Sequence, residues 1–272
     1  MHPRFAQLPS ALRARATITR LADNVPVLLA HPTEGWADDA PPEPRAAPLM
    51  LWFHGRTANK ELDPGRYLRW VRAGIGACAV DLPGHGERAI DGWDDSDHTL
   101  RVAAQAVDEV DRLVDAIEAD PKVSAWFDTS RIGIGGMSAG GMVTLARLCA
   151  RHHFRCAAVE STAGDWSAMA GTDFAQEPWF TSLDPGARLA AWRPIPVLAL
   201  HSEADQTVPF AAMSGFIERL RAHYTLNGAD PDLVELKSWP KTGAPSEHAG
   251  FGRVANEAKN TQVGFLTRWL GA

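Results

Sequence analysis

The sequence predicts an α/β fold in three layers, with a mostly parallel sheet of about eight strands between two layers of helices. Short continuous apolar runs, typical of strands covered on both faces, alternate with segments whose apolar residues recur at helical spacing. Several of the apolar runs end in glycine-rich or polar loops, and such alternation indicates parallel strands joined through helices. We expect all 272 residues to form one domain, because α/β folds often reach this length as a single unit.

The elements follow from the apolar pattern, taken in chain order. Strands are predicted at residues 16–19, 25–30, 49–53, 75–80, 131–137, 156–160, 196–200 and 233–239. Helices are predicted at about residues 64–73, 98–120, 209–223 and 253–270, and directly after Ser138. The helix at 98–120 has the clearest periodicity, with Ser96 or Asp97 available as its cap and Pro121 just past its end.

Residues 161–194 interrupt the alternation of strands and helices. They form the only long insertion between the later strands, and they are rich in aromatic residues broken by Gly and Pro. In this fold such an insertion hangs over the strand ends, so we predict a small lid whose Trp166, Trp179 and Phe180 line the substrate pocket. The alternative is a separate hydrophobic packing cluster.

Residues 131–142 combine a short apolar strand, a glycine-flanked serine and the start of a helix. The spacing Gly136-x-Ser138-x-Gly140 is the nucleophile-elbow pattern, in which small residues allow a strand and a helix to cross closely at a strained turn. Such a turn raises the serine hydroxyl above the sheet. It also directs the first N–H groups of the helix toward the same point, where they favour negative charge.

Composition excludes several classes of function. A net charge of −6 argues against binding to nucleic acid or to an anionic membrane surface. No segment approaches the length of a membrane span and no apolar run of signal-peptide type is present, so we expect a cytoplasmic protein. The three cysteines, Cys78, Cys149 and Cys156, have no metal-ligand spacing and are expected to be free buried thiols. No metal site is predicted.

Polar residues fall where several predicted strands end. In a parallel sheet, ligands bind beyond these carboxyl ends, and there the chain offers Ser138, Asp205 and His248 in that order. A serine hydroxyl needs a neutral imidazole to accept its proton and a carboxylate to fix the tautomer of that imidazole. We therefore predict Ser138 as nucleophile, His248 as base and Asp205 as the orienting acid.

Other residues compete for these roles by position. Glu160 ends the strand after the elbow helix and is the alternative acid, although its neighbours suggest that it anchors the insertion instead. His54 is predicted to stabilise its own loop, His201 to pack at a strand end, and Asp81 to brace the loop that follows it. Asp205 also has an alternative role, as a helix cap before the Val208-Pro209 pair.

At these residues the sequence resembles the α/β-hydrolase superfamily. It is similar to the bacterial esterases grouped with dienelactone-hydrolase-like and prolyl-oligopeptidase-like domains, over residues 49–270. The likeness is carried by His54-Gly55, the loop 81–88, the elbow at Ser138, Asp205 and His248. Dienelactone hydrolases have a cysteine at the elbow, and the related peptidases have Tyr where this chain has Ala139. The resemblance implies that the backbone N–H groups of Arg56 and Ala139 form the oxyanion hole.

The function that this pattern predicts is a serine carboxylesterase acting on small or medium ester substrates without metal or cofactor. An aminopeptidase or an acyltransferase could use the same three residues. A non-catalytic ligand-binding protein of the same fold is the remaining alternative, although a pure binder has no need of nucleophile, base and orienting acid together.

Overall fold

The computed structural model describes residues 3–93, 95–169 and 179–272. Eight strands form one sheet in the order β1-β2-β4-β3-β5-β6-β7-β8. Strand β2 pairs antiparallel with β1 and with β4, and the other neighbouring strands are parallel. The strands are β1 Ala16–Leu21, β2 Val25–Ala30, β3 Ala47–Phe53, β4 Gly76–Val80, β5 Phe127–Met137, β6 Cys156–Glu160, β7 Val197–Ser202 and β8 Val234–Trp239.

Helices flank this sheet on both faces, which confirms the predicted fold class. They are α1 Pro3–Ala6, α2 Ser10–Arg13, α3 Pro64–Arg72, α4 Thr99–Ala119, α5 Pro121–Ser124, α6 Ala139–Leu148, α7 Phe180–Leu183, α8 Phe210–Leu226 and α9 Ala255–Leu270. Helices α4, α6 and α8 bury their apolar residues in one hydrophobic cluster, and α3 and α9 bury theirs in a second.

The packing of strand β3 explains why its sequence is a continuous apolar run. Leu49, Leu51 and Phe53 belong to the cluster on one face of the sheet, and Met50 and Trp52 belong to the cluster on the other. Successive side chains of a strand point to opposite faces, so a strand covered twice must be apolar throughout. Its polar residues are therefore displaced to its end, where the site lies.

The three cysteines are free buried thiols, as the sequence predicted. Burial raises the pKa of each thiol, of Cys78, Cys149 and Cys156, to about 12. These thiols therefore remain protonated at neutral pH. Within the described ranges, none of the helices is both long and apolar enough to cross a membrane.

Candidate active site

Ser138 occupies a strained turn between β5 and α6. Its backbone angles are φ 53° and ψ −118°, a region that residues other than glycine rarely adopt. The strand and the helix touch at the flanking glycines: a Cβ on Gly136 would lie 2.3 Å from the carbonyl carbon of Gly140, and a Cβ on Gly140 would lie 2.1 Å from the oxygen of Phe53. Glycine is therefore required on both sides of the serine.

Hydrogen bonds from the neighbouring strand hold this turn in place. The N–H of Ser138 donates to the carbonyl of Glu160 at 2.8 Å, and the hydroxyl of Thr162 donates to the carbonyl of Ser138 at 2.8 Å. Backbone strain persists only where its surroundings impose it. The end of β6 and the residues after it provide that constraint.

Ser138, His248 and Asp205 form one chain of hydrogen bonds. His248 Nε2 lies 2.9 Å from Ser138 Oγ, and His248 Nδ1 lies 2.8 Å from Asp205 Oδ2. An ionised carboxylate only accepts hydrogen bonds, so Nδ1 carries the proton and Nε2 accepts the serine hydroxyl. Asp205 lies 67 positions after Ser138, and His248 lies 43 positions after Asp205. The fold thus brings nucleophile, base and orienting acid together in the arrangement that acyl transfer requires.

The side chain of Asp205 is fully buried and uses its two oxygens separately. Oδ1 accepts the backbone N–H groups of Thr207 and Val208, both at 2.8 Å, while Oδ2 faces His248. Burial disfavours the charged form, but hydrogen bonds from His201, His248 and the Val208 N–H outweigh it and hold the pKa of Asp205 below its usual range. Helix α8 begins at Phe210 without a side-chain cap, so Asp205 does not cap that helix. The same carboxylate braces its own loop and orients His248.

Glu247, directly before His248, anchors the loop that carries the histidine. Its carboxylate accepts the hydroxyl of Ser202 at the end of β7, the N–H and hydroxyl of Thr242, and the N–H of Gly243, at 2.6 to 2.8 Å. Ser246 and Glu247 have φ of 50° and 51°, so the loop is strained where it is anchored. These bonds, led by that from the Thr242 N–H, lower the pKa of Glu247 to about 2.

We expect Glu247→Gln to lower the thermal unfolding midpoint at pH 7, because the amide is a weaker acceptor for these donors. A carboxylate whose pKa falls from 4.5 to about 2 on folding stabilises the protein above pH 4.5, and this contribution is lost as the pH falls toward 2. The difference in midpoint between wild type and variant should therefore shrink below about pH 4.5. Glu43→Gln, at an exposed loop carboxylate, should change the midpoint at neither pH. If Glu247→Gln lowered the midpoint equally at pH 3 and pH 7, the stabilising role of the ionised Glu247 carboxylate would be contradicted.

The loop after β3 runs against the serine turn. A Cβ on Gly55 would lie 3.4 Å from Ser138 Cβ and 2.7 Å from Met137 Sδ, so Gly55 and the following Arg56 pass close to the hydroxyl. Ala139 begins α6, so its N–H has no acceptor within the helix. The two backbone groups predicted as oxyanion donors thus belong to segments on either side of Ser138.

His54 and Asp81 brace the loops beside the site, as the sequence indicated. His54 Nε2 accepts the Leu82 N–H at 3.1 Å, its Nδ1 lies 2.6 Å from the carbonyl of Gly55, and burial lowers its pKa to about 4. The carboxylate of Asp81 accepts both the backbone N–H and the ammonium of the buried Lys60, each at 2.9 Å. A neutral His54 and a paired Asp81 fix the loop geometry near Ser138.

A cavity of about 560 Å³ opens beside Ser138 and His248. Its apolar walls are contributed by Trp52, Leu62, Tyr67 and Met137. Its charged lining residues are Arg56, Asp63, Arg66, Glu160 and Lys259. The cavity lies at the ends of β3, β5 and β6, next to the N-terminal end of α3.

Glu160, the alternative acid, faces this cavity and is paired with Arg66. The guanidinium of Arg66 donates to both Glu160 oxygens at 2.6 and 2.7 Å, to Gln262 Oε1 at 2.7 Å and to Asp63 Oδ2 at 3.2 Å. It also lies 4.3 Å above the ring of Trp52. The described side-chain partners of Glu160 are thus Arg66 of α3 and Gln262 of α9 rather than residues of the insertion. Asp205 is the carboxylate that contacts His248.

The predicted pocket aromatics lie elsewhere, and none of the three lines the cavity in the described part of the chain. Trp166 is fully buried in a small cluster with residues of α4 and α6, and its indole N–H donates to the carbonyl of Ala163 at 3.1 Å. Phe180 packs against that cluster, and Trp179 is 36% exposed. This part of the insertion matches the packing alternative. Residues 170–178 of the predicted lid lie outside the described residues.

Sequence reasoning missed several residues that build this site. His201 was expected only to pack, yet its Nε2 lies 3.4 Å from Asp205 Oδ2 as well as 3.1 Å from the carbonyl of Val208. The anchoring role of Glu247 could have been predicted from one feature of the sequence: it is a carboxylate next to the predicted base, in a loop of Gly, Pro and Ser. Among the described residues, no group of three His, Cys, Asp or Glu side chains is arranged to hold a metal ion.

This fold, with a serine elbow and a histidine and an aspartate on later loops, defines the α/β-hydrolase superfamily. Residues 73–272 match the model of the prolyl oligopeptidase family. The match extends over more than half of the sequence, and the chain belongs to that family.

Individual proteins agree with this classification. The chain is 27% identical over 269 residues to esterase YjfP of Escherichia coli, covering 92% of this chain and 97% of the relative. TT1662 of Thermus thermophilus has the same fold with a TM-score of 0.66 at 23% identity, covering 95% of this chain and 99% of that one. A puromycin-hydrolyzing peptidase of Mycobacterium tuberculosis gives a TM-score of 0.70 at 19% identity, covering 97% of this chain but 42% of the peptidase. Family and relatives support a serine hydrolase.

Proposed function

We propose that the protein is a carboxylesterase that cleaves esters of small or medium acyl chain through an acyl-enzyme on Ser138. The observation that carries the proposal is the hydrogen-bond chain from Ser138 Oγ through His248 to Asp205, with distances of 2.9 and 2.8 Å. The relative esterase YjfP, which matches nearly the whole chain, supports the same activity.

The reaction follows from the positions of the protons. Ser138 Oγ attacks the ester carbonyl carbon while its proton passes to His248 Nε2, and the N–H groups of Arg56 and Ala139 stabilise the resulting oxyanion. Collapse of this intermediate breaks the bond to the alcohol, which leaves with the proton from His248. A water molecule then attacks the acyl group, gives its proton to His248, and releases the carboxylic acid as Ser138 regains its hydrogen. Asp205 remains ionised throughout and stabilises the imidazolium. No step of this mechanism needs a metal or a cofactor.

The lining of the cavity favours an esterase over an aminopeptidase. An aminopeptidase must bind the ammonium group of its substrate, and a free carboxylate near the nucleophile would serve that purpose. Among the described residues, the two carboxylates that line this cavity have cationic partners: Glu160 is paired with Arg66, and Asp63 is paired with Arg66 and Lys259. Recruiting either one would break an existing ion pair.

A panel of substrates with matched acyl groups tests the proposal. We expect p-nitrophenyl esters from acetate to octanoate to be hydrolysed, with kcat/KM highest at a short or medium chain. Aminoacyl p-nitroanilides should be at least about 10²-fold poorer substrates, since amides react more slowly and neither carboxylate in the described lining of the cavity is free to bind their ammonium group. Anilide turnover equal to or above ester turnover would identify an aminopeptidase instead. Preferential acyl transfer to an added alcohol over hydrolysis would identify an acyltransferase.

A further inference from the structure

The two tyrosines of the chain are both buried but differ in hydrogen bonding. The hydroxyl of Tyr224 donates to the carbonyl of Ile195, and it accepts the indole N–H of Trp192 at 3.1 Å and the N–H of Ile195 at 2.9 Å. Tyr67 is 1% exposed, yet its hydroxyl forms no hydrogen bond to any residue in the described ranges. The hydroxyl oxygen is not among the buried polar atoms that lack a partner, so it is accessible from the cavity and its donor is open to a ligand.

Tyr67 lies on α3 and lines the same cavity as Ser138 and His248. Its ring packs beside that of Trp70, with 5.8 Å between the centroids, which fixes the direction of the side chain. Burial, and to a lesser degree the nearby charge of Asp63, raises the pKa of the phenol. The hydroxyl therefore keeps its proton at neutral pH and can donate it in a hydrogen bond.

Four of the five charged side chains in the described lining of the cavity, all except Arg56, compensate one another. Arg66 is held by Glu160 and Asp63, and the ammonium of Lys259 donates to Asp63 Oδ1 at 2.7 Å. A charged group placed against these four residues would have to disrupt their pairs or remain unpaired in a partly dehydrated cavity, and both are costly. A neutral group that places an acceptor oxygen against the phenol would disrupt none of them.

We propose that Tyr67 is a substrate-binding residue whose hydroxyl donates a hydrogen bond to an acceptor oxygen in the acyl chain. The preferred substrates are then esters of neutral, oxygenated acids, whose apolar parts contact Trp52 and Met137. This inference rests on the proposed esterase function and adds the class of acyl group to it.

The test compares esters with isosteres in which oxygen replaces one methylene. p-Nitrophenyl pentanoate is compared with the ethoxyacetate and 3-methoxypropanoate esters, and the hexanoate with the 4-methoxybutanoate. We expect Tyr67→Phe to lower kcat/KM about tenfold for at least one oxygenated ester, the value of one hydrogen bond, and to leave the all-carbon esters within about twofold. Because each ratio compares wild type with variant on one substrate, intrinsic reactivity cancels.

Tyr224→Phe is the matched control. It removes a hydroxyl that makes three hydrogen bonds remote from the cavity, so it should lower the unfolding midpoint and affect all esters equally. Tyr67→Phe removes an unpartnered hydroxyl and should not lower that midpoint. Equal ratios for oxygenated and all-carbon esters would overturn the role of Tyr67 alone. If wild type hydrolysed none of these esters, the proposed function would fail and this inference with it.

Discussion

Replacing Asp205 with asparagine should reduce turnover by about 10⁴-fold, the loss expected when the orienting acid of a serine triad becomes an amide. The asparagine oxygen can still accept the N–H groups of Thr207 and Val208, so the loop should keep its shape. The amide NH₂ would then face His248 Nδ1 and favour the tautomer with its proton on Nε2. That tautomer cannot accept the hydrogen of Ser138.

Glu160→Gln is the control variant that distinguishes Asp205 from Glu160 as the orienting acid. It alters the other carboxylate at a neighbouring strand end and breaks a buried ion pair with Arg66, so we expect it to destabilise the fold by on the order of 3 kcal/mol. Turnover by the folded fraction should nevertheless remain at least about a tenth of the wild-type value. The reverse ranking, measured on variants shown by circular dichroism to be folded, would move the acid to Glu160.

Ser138→Ala should lower ester hydrolysis by about 10³-fold or more with little change in the unfolding midpoint. The serine sits at a turn and its hydroxyl bonds only to His248 among the described residues, so its removal leaves no cavity in either hydrophobic cluster. Alanine must adopt the same φ of 53°, a strain that the serine already bears. Steady-state kinetics with p-nitrophenyl butyrate, together with a thermal melt, measure both parts. Near wild-type turnover by the variant would exclude Ser138 as the nucleophile.

The sequence predicted the fold because each level of its pattern indicates the same architecture. Runs such as β3 are apolar throughout, and this pattern is typical of strands covered on both faces. Local boundaries were less predictable. Ser96 or Asp97 was expected to cap α4, but a turn of 3₁₀ helix occupies Ser96–His98, and α4 begins at Thr99 without a side-chain cap. Competing turns of this kind depend on tertiary packing that a local pattern does not contain.

Ser138, Asp205 and His248 could be predicted from their order along the chain and their positions after predicted strands, because the carboxyl ends of parallel strands share one edge of the sheet. The residues that line the cavity could not be predicted in this way, because no pattern in the sequence around them indicates that they meet. Arg66 and Glu160 are 94 residues apart, and nothing in either segment indicates that they pair. Trp166 shows the opposite problem: an aromatic residue in an insertion fits a pocket wall and a packed cluster equally well. Only the position of its neighbours distinguishes the two.

Covalent labelling with a fluorophosphonate, followed by peptide mapping, tests the central claim most directly, because the reagent reacts with a serine only when a neighbouring base activates it. The proposed mechanism predicts one adduct per chain, on Ser138, absent from Ser138→Ala and formed much more slowly in His248→Ala. An adduct on another residue, or no adduct on the folded wild-type protein, would contradict the assignment of Ser138 as a nucleophile activated by His248.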